Sequence, residues 1–422
     1  MNAVKAMTRE AQLFLGGRAN IVALLALVAM TLAGLVAGSL DVRQQRDAVA
    51  QLLVGDAEER ALVLASSNDF GGAAYATFHL AYSMPETLAF AALGQRDIST
   101  YTLRVRALAL EGQIYETDTG NPALALVGRL DFAFVIALLL PLFVILLLYD
   151  LVAAEREAGR HALLVATAGA AWRLWGSRAI VRAVALLACT LLPFYVFAAI
   201  HGVPITQALA VTGVVLAQVT IWTAITLAVA FRPWRSPTIA TSLIGIWLVL
   251  CLIVPMLGKL VVERTLTGVE GAQVALIQRD HVNAAWDLPR AVTMERFFVN
   301  HPEWSDTAPV EQPFHWKWYF AFQQVGDEAA AEAAAQYREI VIRRHQMAGR
   351  VGLISPAVAV QVVMQRLAST DTLANLAFQS EIREFHARLR RFYYPLLFND
   401  VEFDRLRLED LPVFGEAPRY TN

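Results

Sequence analysis

Residues 21–40 read IVALLALVAMTLAGLVAGSL, twenty positions without a charged side chain. At about 1.5 Å per helical residue they reach about 30 Å, one hydrocarbon thickness. The run exceeds the ~7–15-residue core of a secretory signal, so it reads as a retained span rather than a cleaved leader. Four more uncharged runs follow, at 132–149, 183–200, 208–231 and 238–257. Composition agrees. Of 422 residues, 57% are hydrophobic and 17% charged, where a soluble domain carries about 25% charged residues. The fold class is therefore mainly α, a polytopic membrane protein with five spans.

Charge sets the orientation. The N-terminal segment carries Lys5, Arg9 and Arg18; the stretch 150–182 carries Arg156, Arg160, Arg173, Arg178 and Arg182; the link after the fourth run carries Arg232 and Arg235. If every run spans, all three lie on one side, and the positive-inside rule makes that side cytoplasmic. The expected division is a cytoplasmic interfacial helix at 1–20, a span at 21–40, an outer domain at 41–131 and a second span at 132–149. A cytoplasmic segment at 150–182, spans three to five within 183–257 and a second outer domain at 258–422 complete it. Cys189 and Cys251 both fall inside runs, so the two outer domains, expected to be mostly helical, lack disulfides.

Between the runs, the chain reads largely as helix. Val4, Met7, Ala11 and Phe14 fit helical spacing, as an interfacial helix or a plain basic flank. The first span is expected to continue outward until SSNDFGG, with Gly55 as an interruption, and ISTYTLRVRALAL suggests a strand by its alternation. In the second outer segment, 269–289 reads as helix up to Pro289. The Pro- and aromatic-rich 300–319 reads as an ordered loop, and 327–356 has strong helix composition ending near Gly352 and Pro356. Two more helices follow, with Asp371 as the N-cap of the second. PAVAVQVVMQRLAST is too short and too polar to be a sixth span.

The chemistry is marked by what is missing. There is no G-x-x-x-x-G-K-[ST], so ATP is not handled in the P-loop manner, and no H-E-x-x-H, G-x-S-x-G or C-x-x-C. No catalytic residue or metal site is expected. His281, His301, His315, His345 and His386 fall in one segment, but at spacings that match no ligand pattern. HWKWY at 315–319 reads either as an aromatic binding patch or as local core and interfacial belt. The spans hold few ionisable groups: Lys259 and His201 lie near ends and Gln218 is an amide. A pump driven by ion or proton flow needs more than this at mid-membrane, so any transport is powered from elsewhere.

Residues 155–175, EREAGRHALLVATAGAAWRLW, are more elaborate than a connector requires. Leu164, Ala168, Trp172 and Trp175 share one helical face, while Gly159 and Gly169 permit breaks. One reading presents Glu155 to Arg160 to a soluble partner, with both Trp side chains at headgroup level. The other makes Arg156 and Arg160 inner-leaflet anchors paired with Glu155 and Glu157. A glutamate-pair intramembrane protease does not fit, since Glu155 and Glu157 are not adjacent and lie outside the bilayer.

This segment resembles the permease subunits of ABC-2 type transporters, which carry E-x-E-x-G followed by leucines after the second span. Glu155, Glu157, Gly159, Leu163 and Leu164 carry the likeness, with Arg178 where a basic residue is expected and Arg160 in place of the usual Thr. The large outer insertions, and ISPAVAVQVVMQRLASTD in particular, are similar to the DUF3526-like subgroup. The resemblance implies that Glu155, Arg156, Glu157, Gly159, Arg160, Leu163 and Leu164 form a coupling element that docks on separate P-loop ATPase subunits. ATP and Mg would be bound by those subunits and no cofactor by this chain. It further implies a second permease subunit, identical or related, and a sixth span after LPVFGEAPRY, which this sequence does not show. The expected protein is a non-enzymatic inner-membrane permease, export favoured, contacting lipid and a possible periplasmic partner but no nucleic acid. The alternative is a membrane-anchored scaffold or signalling protein whose outer domains bind a partner without transport.

Overall fold

The structure, a computed structural model, describes residues 3–115, 130–168 and 170–416. Among the described residues, five helices are long and apolar enough to cross a membrane: Arg18–Ser66, Phe132–Glu157, Ala171–Ile200, Ile205–Ala230 and Ser236–Thr265. A short helix, Ala3–Leu15, precedes them and packs against the third and first spans.

The first span is one helix of 49 residues, about 74 Å long. Its second half projects well beyond the bundle. Gly55 does not interrupt it: no neighbour comes within 4 Å of the Cβ position there, so the cost of about 1 kcal/mol for a helical glycine is the only penalty and 48 other residues carry the helix. The break comes at Ser67, and Asp69 restarts the chain by accepting the Gly72 N–H at 2.6 Å ahead of the helix Phe70–Ala76. Thr102–Val105 is a strand, as its alternation suggests, paired antiparallel with His79–Tyr82.

Two spans contain π-helical segments, at 135–139 and 249–253, each with a proline two residues past its end, Pro141 or Pro255. The wider register directs the carbonyls of Ile136 and Leu250 at the proline nitrogens five residues on, which carry no hydrogen. Side chains from other elements fill the gap. Gln218 Nε2 of the fourth span donates to the carbonyls of Ile136 and Ala137, both at 3.3 Å. Trp247 Nε1 of the fifth span donates to Leu138 O at 3.1 Å. Ser355 Oγ, from the outer segment, donates to Leu250 O at 2.6 Å. The amide noted at 218 is thus a fastener within the bundle.

The two outer segments were expected to be separate domains but share one core. Phe70, Val105, Leu108 and Tyr115 of the first pack with Phe297, Phe320, Phe385 and Tyr393 of the second. Arg383 grips Glu111 through Nε at 2.7 Å and Nη2 at 2.8 Å. Asp327 accepts the N–H groups of Leu110 at 2.8 Å and Glu111 at 3.1 Å. The first segment completes its burial on the second. HWKWY is the first turn of the helix Trp316–Val351, not loop. His315 caps it, Trp318 is buried, and Lys317 is buried against Asp400 at 2.8 Å. It is local core.

The division at 258 is also not clean. The helix Pro356–Leu367 packs against the fourth span and both π segments, and Ala357, Val360, Met364 and Ala368 belong to the bundle core.

Gln218→Leu leaves the Ile136 carbonyl unmet in an apolar setting and should cost about 1–3 kcal/mol. A lowered thermal midpoint in detergent, with Thr220→Leu on the exposed face as control, is the expected result.

Candidate coupling surface and outer cleft

The segment at 150–182 folds as a knuckle of two short helices, Ala153–Glu157 and His161–Ala168, before the third span begins at Ala171. Gly159 makes the turn. Its φ is +70°, a left-handed conformation that costs other residues about 1–2 kcal/mol. The Gly159 N–H donates to Arg156 O at 3.0 Å and the Arg160 N–H to Glu155 O at 2.9 Å, the paired bonds of a Schellman helix end. Gly169 lies outside the described residues.

The charges of the knuckle are spent within the molecule. Arg156 donates through Nη1 to Arg232 O at 2.8 Å and through Nη2 to Ala230 O at 3.1 Å, capping the end of the fourth span. Glu157 Oε1 accepts the Ser236 N–H at 2.7 Å, where the fifth span begins. A cation at a helix C-terminus and an anion at an N-terminus each complement the helix dipole. Glu155 takes Arg160 Nε on one oxygen at 2.9 Å and Arg178 Nη1 on the other at 3.1 Å. Arg178 also lies 3.3 Å from Glu10 of the N-terminal helix. Arg160, which the likeness did not anticipate, therefore belongs to the same network. Glu155, Arg156 and Glu157 tie the knuckle to the N-terminal helix and to spans three, four and five.

The open surface is mixed: Glu157, Arg160 and Arg173 are exposed, and two large apolar side chains stand out beside them. Leu163 is 67% exposed and Trp172 73% exposed, while Leu164 is half-buried. Trp172 and Trp175 do not share one helical face with Leu164, because the helix breaks between Ala168 and Ala171. Trp175 instead turns inward, fully buried, with its ring stacked on His161 at 5.7 Å. Glu10 and Ser236 were not singled out from the sequence. They lie 168 and 79 positions from their partners at 178 and 157, beyond any local periodicity.

At the far end of the molecule, a cleft of about 440 Å³ opens between the helices Trp316–Val351 and Thr372–Phe398. Asp327, Arg390, His301, Glu328 and Tyr394 line it. Two ion pairs cross it: Arg390 Nη2 meets Asp327 at 2.7 Å and His301 Nε2 meets Glu328 at 2.7 Å. The hydrogen bond to Glu328 raises the His301 pKa above its ordinary value, against the opposing effect of burial. His386, fully buried, donates through Nε2 to Leu108 O at 2.6 Å, and burial holds its pKa well down. Burial likewise lowers His79 to about 3. His315 and His345 lie near Asp400 and Asp371, so the histidines of this segment have different partners and do not converge.

Residues 272–416 match DUF3526, a domain of unknown function. The DUF3526 region therefore covers the outer core helices, the cleft and the helix that packs into the bundle. No curated protein and no solved structure is detectably similar to the chain.

Two outcomes are expected. Gly159→Ala should loosen the knuckle turn by about 1 kcal/mol, seen as several-fold faster tryptic cleavage after Arg160, while Gly176→Ala in open helix leaves it unchanged. His79 and His386 are neutral when folded and take up protons below pH 6.5 only when unfolded, so stability is full above 6.5 and falls as pH drops. Each contributes up to about 1.4 kcal/mol per pH unit. The His301 contribution has the opposite sign, present below 6.5 and lost as pH rises through its raised value. Thermal midpoints from pH 8 to 5 should peak near neutrality, and His386→Gln should flatten the acid side.

Proposed function

We propose that this chain is the permease subunit of an ATP-driven ABC-2 type transporter. The observation that carries the reading is the knuckle. It is an exposed apolar helix bearing Leu163, beside Trp172, fastened by Glu155, Arg156 and Glu157 to three spans. A surface meant to receive a push needs this rigidity, since a loosely held loop would absorb it. The E-x-E-x-G likeness and the DUF3526 match at 272–416 are consistent with that role.

Docking on a P-loop ATPase subunit would use Leu163, Trp172 and the faces around them. The motif charges would position the platform rather than bind the partner. Arg18, the knuckle arginines, Arg232 and Arg235 all gather at this end of the bundle, which the positive-inside rule assigns to the cytoplasm. The outer domain would then face the periplasm of an inner-membrane protein. ATP and Mg would sit on the partner, a second permease subunit would complete the pore, and export is the favoured direction. No covalent chemistry is assigned to this chain. The second reading, a membrane-anchored scaffold, is favoured by the outer cleft of about 440 Å³.

Co-expression and co-purification with a P-loop ATPase subunit separate the two. Leu163→Asp should reduce ATPase recovery at least tenfold with the thermal midpoint unchanged, because the side chain is exposed. Recovery equal to wild type, or no ATPase recovered with the wild-type chain, would favour the scaffold.

A further inference from the structure

We infer that residues 351–365 form a re-entrant hairpin inside the bilayer, with Leu353 and Ile354 at its apex against lipid acyl chains. The inference needs only the membrane-spanning bundle and not the transport reading. Hydropathy alone argues against it, because the segment is too short to span and belongs to a domain otherwise built for water.

Three contacts fix its depth along the fifth span. Arg344 Nη2 donates to Leu266 O at 2.9 Å, just past the outer end of that span. Further along, Val351 lies against Gly258, where an added Cβ would come within 2.8 Å of Val351 Cγ2. Deepest is Ser355 Oγ on Leu250 O at 2.6 Å. The three pairings run antiparallel: as the outer helix advances from 344 to 355, its partner position retreats from 266 to 250. The uncharged run of the fifth span ends at Leu257. Leu250 therefore lies about 10 Å inside the apolar zone at about 1.5 Å per residue, and Ser355 sits at the same level.

The return arm closes the geometry. The helix Pro356–Leu367 has 12 residues, or about 18 Å, enough to bring Arg366 back to the boundary. Arg350 and Arg366 flank fifteen residues, 351–365, without a charge. They stand where two arginines would reach headgroups at either shoulder of a hairpin. The turn itself is tight, since a Cβ at Gly352 would meet Ala359 Cα at 3.2 Å. Backbone polarity is handled as a bilayer demands. Ser355 accepts the Val358 N–H at 3.3 Å while donating to Leu250 O, so helix start and π segment satisfy each other.

The inner face of the return helix is buried by the bundle, through Ala357, Val360 and Met364. The apex points away from it, with Leu353 88% exposed and Ile354 63% exposed. Leu252, Ile253 and Met256 of the fifth span are exposed at the same level. The apex thus continues the apolar surface that this span offers to hydrocarbon. That continuity identifies acyl chains as the occupant.

The test is site-directed spin labelling of the full chain in lipid nanodiscs. Leu353→Cys and Ile354→Cys are made with Cys189 changed to Ala, and residual label on buried Cys251 is subtracted using that parent. Leu192→Cys in the third span and Leu406→Cys in the outer domain, both exposed, serve as lipid and water references. The expected result is an oxygen-to-nickel-chelate accessibility ratio at 353 and 354 that matches Leu192→Cys. A ratio matching Leu406→Cys would overturn the proposal by placing the apex in water. Low access to both reagents with dipolar broadening between labels would overturn it in favour of a second copy of the chain. Two adjacent exposed sites keep the test decisive if one variant fails to fold.

Discussion

The structure depends on one constraint: a backbone carbonyl without a donor cannot remain in an apolar bundle. Pro141 and Pro255 create that difficulty twice, each two residues past the end of a π segment. The remedy in both places is a polar side chain from another element. Gln218 and Trp247 serve the second span, and Ser355 serves the fifth. These bonds fix which helices are neighbours and at what height. They also pull part of the outer segment into the bundle, because the fifth span has no complete backbone pairing without Ser355.

The same accounting governs the knuckle. The fourth span ends with open carbonyls and the fifth starts with open N–H groups. Arg156 and Glu157 answer both across the short link between them. Side chains that look like a charged recognition motif are thus engaged as caps and internal ion pairs, and the surface beside them exposes the apolar Leu163 and Trp172. The outer domain follows the rule with stronger charges. Asp327 is buried, and burial pushes its pKa up against the pull of Arg390, yet it holds two backbone N–H groups of the first segment in place. The two segments fold as one body because each holds groups that the other must satisfy.

Much of this was legible in the chain itself. The five uncharged runs match the five long helices, the Asp371 cap accepts the Ala374 N–H at 3.0 Å as expected, and the helix ending near Gly352 ends at Val351. Gly159 was marked as a break and sits at the left-handed turn. Local signals failed where distant partners decide. HWKWY looks like an aromatic loop because its helical continuation is judged by composition from 327 onward, yet packing of Trp316 on Gly71 and of Trp318 in the core starts the helix at 316. Trp172 and Trp175 fit one periodic face, but a break ahead of Ala171 separates them from Leu164.

Length, hydropathy and charge bias alone determined that the protein is polytopic, mainly α and asymmetric in charge, since each is a sum over neighbouring residues that no later contact reverses. The tertiary structure decided which polar groups are available. Glu155, Arg156 and Glu157 are occupied by residues far along the chain, and an outer-segment serine lies level with the middle of a span. The physical reason is the same in each case. Hydrogen-bond satisfaction in a low-dielectric interior is a pairwise property of groups brought together by folding, and linear order does not record those pairs.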